Sequence, residues 1–130
     1  MNSLQMVGRD NHLQIAAHLA QGRDVVMLCE GDPFFYGSFM YLFARLAQDY
    51  PCAIVPGVTS MTASAASLRR PLSARNEVVK VLPATLPEDR LREALMTAES
   101  AVLIKVGRHL GKVRNILGLL DLSSRAHVII

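Results

Sequence analysis

An α/β fold with parallel strands, divided into two lobes, is what the sequence predicts. Short apolar runs of strand length, at residues 25–29 and 52–55, each stop in a turn that carries glycine and proline, and a helical pattern follows each turn. The same alternation restarts after a basic linker that ends near residue 76. Strand, helix and strand in that order make a right-handed crossover between parallel strands, so the carboxyl ends of the strands share one edge. In open parallel sheets, ligands bind along that edge.

Size and composition permit such a fold and narrow the function. A chain of 130 residues, 51% hydrophobic and without low-complexity tracts, is long enough for one ordinary domain or parts of two smaller lobes. No apolar run approaches the roughly 20 residues of a membrane span. The first residues, Met1 to Gln5, lack the basic and apolar regions of a signal peptide, so a cytoplasmic protein without a membrane partner is expected. A net charge of +3 from scattered basic residues gives little footprint for nucleic acid, and no nucleic-acid partner is expected. Cys29 and Cys52 lie in the two apolar runs without metal-ligand spacing and read as buried free thiols. His12 and His18 are six residues apart and do not share a helix face, so no metal is expected there.

Each element has a local reason. Leu13, Ala16, Ala17 and Ala20 recur at helical spacing over residues 9–21, and Gly22 is placed to end that helix. The strand at 25–29 runs into Glu30-Gly31-Asp32-Pro33. Gly31 allows a backbone conformation closed to other residues and a close ligand, Asp32 supplies an acceptor, and Pro33 fixes the exit. Ser38 is positioned to cap the next helix. An ordinary strand-to-helix loop would use the same residue types. Phe39, Met40, Leu42, Phe43 and Leu46 then give residues 39–48 a broad apolar face, which reads as core.

Asp49-Tyr50-Pro51 breaks that helix ahead of the strand at 52–55, whose turn, Pro56-Gly57-Val58-Thr59-Ser60, should lie beside the first. A helix of small residues follows from Met61, with Thr59 or Ser60 as its cap, and its lack of bulk permits close approach to a sheet or ligand. Arg69, Arg70 and Arg75 suit a solvated helix end and linker, or a patch facing an acidic substrate. The second lobe then reads as a strand at 78–82, a proline-rich loop at 83–87, a helix bearing Leu91, Ala94 and Leu95, a strand at 101–106, a helix at 110–120 and a final strand-like run at 126–130.

The expected lobes are 1–76, lacking its first strand, and an incomplete 77–130. A first helix with no strand before it, and a last strand with nothing after it, suggest a chain truncated at both ends. The segment from Gly107 to Val113 fails as a phosphate loop, because its glycines are one residue too close and Val113 stands where Ser or Thr is required. No Gly-x-Ser-x-Gly elbow marks a nucleophile.

Three phrases, in order, resemble the tetrapyrrole methylase family. They are Glu30-Gly31-Asp32-Pro33-Phe34-Phe35-Tyr36-Gly37-Ser38-Phe39-Met40-Tyr41-Leu42, Pro56-Gly57-Val58-Thr59-Ser60, and Val102-Leu103-Ile104-Lys105-Val106-Gly107-Arg108-His109. The first and third together favour the branch that methylates C20 of precorrin-2, or cobalt-precorrin-2, in cobalamin biosynthesis. The resemblance implies a two-lobed α/β protein, paired as a homodimer, with S-adenosylmethionine in the cleft between lobes. It implies cofactor contacts at Glu30, Gly31, Asp32, Phe35, Thr59, Ser60 and Val106. Arg69, Arg75, Arg108 and His109 are candidates to meet the tetrapyrrole carboxylates through charge-assisted hydrogen bonds.

An electron-rich ring carbon attacks the sulfonium methyl and displaces the thioether S-adenosylhomocysteine in that chemistry, so the protein has chiefly to align the two and exclude water. No catalytic acid or base is assigned, and Asp32 is cast as a cofactor or positioning contact. The family begins with a strand and a Gly/Pro-rich loop that this chain lacks, and its last strands lie past Ile130, so the isolated piece is expected to bind weakly or be inactive. Uroporphyrinogen III or precorrin-4 methylation, the family's ribosomal-RNA branch, and a non-catalytic dimerising module stand as alternatives. An RNA enzyme should show a basic face with exposed aromatics.

Overall fold

Residues 12–129 are described by a computed structural model of the chain. They fall into two units, the first ending at Ser60 and the second beginning at Met61.

The first unit is built on α1 (His12–Leu19) and α2 (Phe39–Leu46), which touch each other. Ile15 is the buried residue of α1, and residues 9–11 of the expected helix lie outside the described residues. Tyr50 donates its hydroxyl to the Ala16 carbonyl at 3.4 Å, and the Arg45 guanidinium reaches His12 Nδ1 at 3.0 Å. Gly22 ends α1 as expected: its φ is +71°, its N–H donates to Leu19 O, and the Arg23 N–H donates to His18 O. That pair of bonds needs a left-handed residue, which glycine adopts without strain.

Three expectations in this unit are corrected. Ser38 does not cap α2 through its side chain, because its backbone (φ −73°, ψ −17°) is already helical, whereas a capping side chain acts from an extended residue. Among the described residues neither 25–29 nor 52–55 is paired into a sheet, and Val26, Leu28 and Val55 are each at least 80% exposed. Apolar content measures a run's suitability for a strand, but a strand exists only where a neighbour takes its N–H and C=O groups. Cys29 and Cys52 are exposed free thiols for the same reason, since the runs that were to bury them are uncovered.

The second unit carries the sheet. β1 (Val79–Pro83) pairs in parallel with β2 (Ser100–Ile104), from Val79 opposite Ser100 to Pro83 opposite Ile104, and α4 (Glu88–Met96) connects them. The α/β class expected from the sequence holds in this βαβ crossover. α4 opens with Glu88 and Asp89 in its first turn, where carboxylates favour the positive end of the helix dipole. At its other end, Lys80 Nζ donates to the Ala94 carbonyl at 3.2 Å and to Thr97 Oγ1 at 2.6 Å, so β1 holds the helix terminus by a cation. Leu82, Ala84, Leu91, Leu95, Val113 and Ile116 form the core between the sheet, α4 and α5 (Leu110–Leu119).

α3 (Ser60–Leu68) and α5 both close with the bonding pattern of α1, but without glycine. Arg69 (φ +52°) stands at that position after α3, and Asp121 (φ +55°) after α5, where the Leu122 N–H donates to Leu117 O at 2.8 Å. Residues 126–129, expected as strand, follow a 3-10 turn at Ser123–Arg125 and carry no strand pairing; Ile130 lies outside the described residues.

Candidate functional site

The turn after residue 29 is organised by the carboxylate of Asp32. Its Oδ1 accepts the Phe34 N–H at 2.9 Å, closing a local Asp turn, and its Oδ2 accepts the Gly57 N–H at 3.0 Å. The second bond joins the two turns that the sequence placed side by side. Backbone meets backbone at the junction: a Cβ built on Gly57 would fall 2.8 Å from Gly31 C and 3.3 Å from Asp32 Cα, and closer still to the Gly31 carbonyl oxygen. Only glycine fits there. Gly31 itself adopts φ +75° and faces the Val58 carbonyl.

Aromatic packing holds this arrangement to α2. Phe34, whose N–H binds Asp32, sets its ring edge-on to Phe43 at 4.9 Å between centroids and lies 6.0 Å from Phe39. Phe35 is half-buried, with its ring edge-on to Tyr36 at 5.1 Å. Glu30 and Gly31 are exposed, Thr59 is half-buried, and Ser60 is the exposed first residue of α3.

Both amides lower the Asp32 pKa below the ordinary 3.8, Gly57 more than Phe34, and slight desolvation opposes them. A depressed folded-state pKa contributes stability that is complete above the unfolded value and is lost as pH falls through the folded one. The stability difference between wild type and Asp32→Asn should therefore be constant near neutrality and shrink below about pH 4. The amides are neutral, so added salt should leave it unchanged, and urea titrations across pH and ionic strength read both effects. A difference that widens in acid would contradict this assignment.

In the second unit, β2 ends at Ile104, and Lys105 (φ +56°) leads through half-buried Val106 into a 3-10 turn, Gly107–His109. Val106 packs against the core, and its carbonyl accepts the His109 N–H at 2.6 Å. Arg108 Nε approaches His109 Nε2 at 3.4 Å, so Lys105, Arg108 and His109 place basic groups at the carboxyl end of β2. Arg69 and Arg75 are exposed and both left-handed, one at the end of α3 and the other in the loop before β1. Arg70 is engaged with His127. Lys112 of the rejected phosphate loop donates to the Leu86 carbonyl from within α5.

Sequence reasoning singled out Gly31 and Asp32 but passed over Gly57 and Phe34. A Pro-Gly step closing the second apolar run was the signal for Gly57, and an Asp two residues before an aromatic was the weaker signal for Phe34. A depression of about 370 Å³ on α4, lined by Asp89, Arg92, Glu93, Met96 and Thr97, includes none of the expected site residues. Among the described residues no cluster of His, Cys, Asp and Glu could hold a metal ion, and no helix is long and apolar enough to cross a membrane.

The family model described as Tetrapyrrole (Corrin/Porphyrin) Methylases matches residues 2–130. The chain belongs to this family. Among curated tetrapyrrole methylase relatives, the precorrin-2 C(20)-methyltransferase of Sinorhizobium sp is 47% identical over 103 residues, covering 79% of this chain and 42% of that protein. The cobalamin biosynthesis protein CobIJ of Mycobacterium tuberculosis is 47% identical over 104 residues, covering 80% of this chain and 20% of that protein. The cobalt-precorrin-2 C(20)-methyltransferase of Salmonella typhimurium is 31% identical over 110 residues, covering 82% of this chain and 46% of that protein. The chain thus spans less than half the length of the curated relatives it matches.

Proposed function

We propose that the protein to which this chain belongs is an S-adenosylmethionine-dependent C-methyltransferase acting on C20 of precorrin-2 or its cobalt form. The observation that carries the proposal is 47% identity, across four fifths of the chain, to a relative bearing that activity in its name.

The residues fit the donor. At the joined turns, the peptide edges of Gly31 and Gly57 come together with no side chain between them, which lets a nucleoside approach the backbone closely. Exposed Glu30 offers an acceptor for a hydroxyl or a positive centre, and Thr59 and Ser60 add hydroxyls beside the second turn. Phe35 supplies an aromatic face, and Val106 is assigned a donor contact on the family resemblance alone. When bound, the donor supplies an electrophilic methyl group on a sulfonium. The task left to the chain is to fix that methyl in line with the ring carbon and keep water out. No general base is required of Asp32, whose carboxylate two amides hold ionised. Arg69, Arg75, Arg108 and His109 are assigned to the carboxylates of the macrocycle. Pairing as a homodimer and a cytoplasmic setting belong to the same proposal.

Incubating the full-length protein with precorrin-2 and isotopically labelled donor should place label on C20, located by NMR. Label on another macrocycle position or on RNA would assign a sister activity. Failure to bind the donor in calorimetry, with an intact dimer by ultracentrifugation, would favour a non-catalytic module.

Arg69 gives a sharper test, because its left-handed backbone is a position where glycine relieves strain. Relief of roughly 1–2 kcal/mol of left-handed strain outweighs the roughly 0.4–1 kcal/mol by which glycine favours the unfolded chain, so Arg69→Gly should raise stability while weakening substrate binding, read as a higher Tm with a higher KM. A gain in stability with an unchanged KM would remove Arg69 from the substrate site.

A further inference from the structure

We propose that Asp32 is a positioning residue, which locks the Gly31 and Gly57 turns into one peptide surface for the methyl donor. The inference rests on the methyltransferase reading above and specifies how its site is assembled.

Three features of the first unit carry it. Each carboxylate oxygen already accepts a backbone N–H, one from its own turn and one from the other. The second turn closes on the first only because Gly57 has no side chain, and a methyl group there would meet the Gly31 carbonyl. The same carboxylate fixes Phe34, whose ring is seated on Phe39 and Phe43 of α2. One side chain therefore sets the separation of both turns and ties them to a helix.

Asp32→Asn separates these roles. The amide oxygen can still accept from Phe34, while the amide nitrogen sets a donor against the Gly57 N–H, so the local turn survives and the link between turns is lost. Gly57→Ala breaks the same link from the other side. If one contact is involved, the two effects must not add.

Calorimetry of S-adenosylhomocysteine binding to the full-length protein tests this with wild type, both single variants and the double variant. Each single variant should weaken binding by about tenfold, and the double should be no weaker than the worse single. Losses that multiply, or wild-type affinity in Asp32→Asn, would overturn the proposal. A second measurement needs neither ligand nor variant: in the wild-type protein, the Gly57 and Phe34 amide protons should shift together as Asp32 is protonated. A Gly57 resonance indifferent to that titration would refute the lock even if the donor binds well. Absence of binding in wild type, with the amide shifts present, would count against the methyltransferase reading and leave the Asp32 link between turns standing.

Discussion

Leu91→Ala is expected to lower the stability of the second unit by about 3–4 kcal/mol. Leu91 is fully buried on the inner face of α4, as is Ile116 on α5. The surroundings cannot easily collapse into the cavity. The β1–β2 register is held by its ladder, and the end of α4 is held to β1 by the bonds from Lys80. Loss of the side chain therefore forfeits both its transfer free energy and its contacts. Ile116→Val removes a single methylene and should cost only about 0.5–1.5 kcal/mol. Met96 and Leu119, on the same two helices, are more than 65% exposed, and their alanine variants should stay within about 0.5 kcal/mol of wild type. Hydrogen exchange of the β1 and β2 amides isolates this unit from the rest of the chain. An exchange free energy that falls by less than about 1 kcal/mol in Leu91→Ala would mean that the core tolerates the void.

How much of this was legible beforehand differs between the units. In the second, the signals that held were local, and the run at 126–129, apolar but unpaired, was misread as a strand. Leu91 and Leu95 share a helical face, β1 and β2 are short and apolar, and the helix between them suits a parallel pair; the strand expected at 78–82 emerged as Val79–Pro83. In the first, the turn chemistry was legible but the strands were not. Gly31 and Asp32 announce a tight turn through their own backbone preferences, whereas 25–29 and 52–55 announce only that a neighbour would suit them. A partner in the ladder is a property of the assembled sheet, which no run of five residues encodes. Ser38 failed as a cap for a related reason, since capping depends on backbone angles that the residue type favours without dictating. The link from Asp32 to Gly57 crosses 25 positions of sequence, and only the expectation that adjacent parallel segments place their turns together brought it within reach.

That link leads to the second large effect, a contrast between two glycines. On the proposed methyltransferase reading, Gly57→Ala in the full-length protein should reduce methyl transfer by about a hundredfold, as expected for a displacement near 1 Å at a reacting centre. Gly31→Ala should act mainly on stability. Gly31 sits at φ +75°, where any Cβ is strained by roughly 1–2 kcal/mol, but the space beside it is adequate, with the Val58 carbonyl at 3.4 Å. Gly57 is not left-handed, so alanine suits its backbone, and the obstacle is the Gly31 peptide against it. The two sites should therefore rank substitutions oppositely. Asparagine tolerates the left-handed region and should be milder than alanine at Gly31, yet its greater bulk should make it worse than alanine at Gly57. Turnover and thermal unfolding of the four variants measure that reversal. A common ranking at both sites, or near wild-type turnover in Gly57→Ala, would mean that contact between the turns does not shape the methyl-donor site.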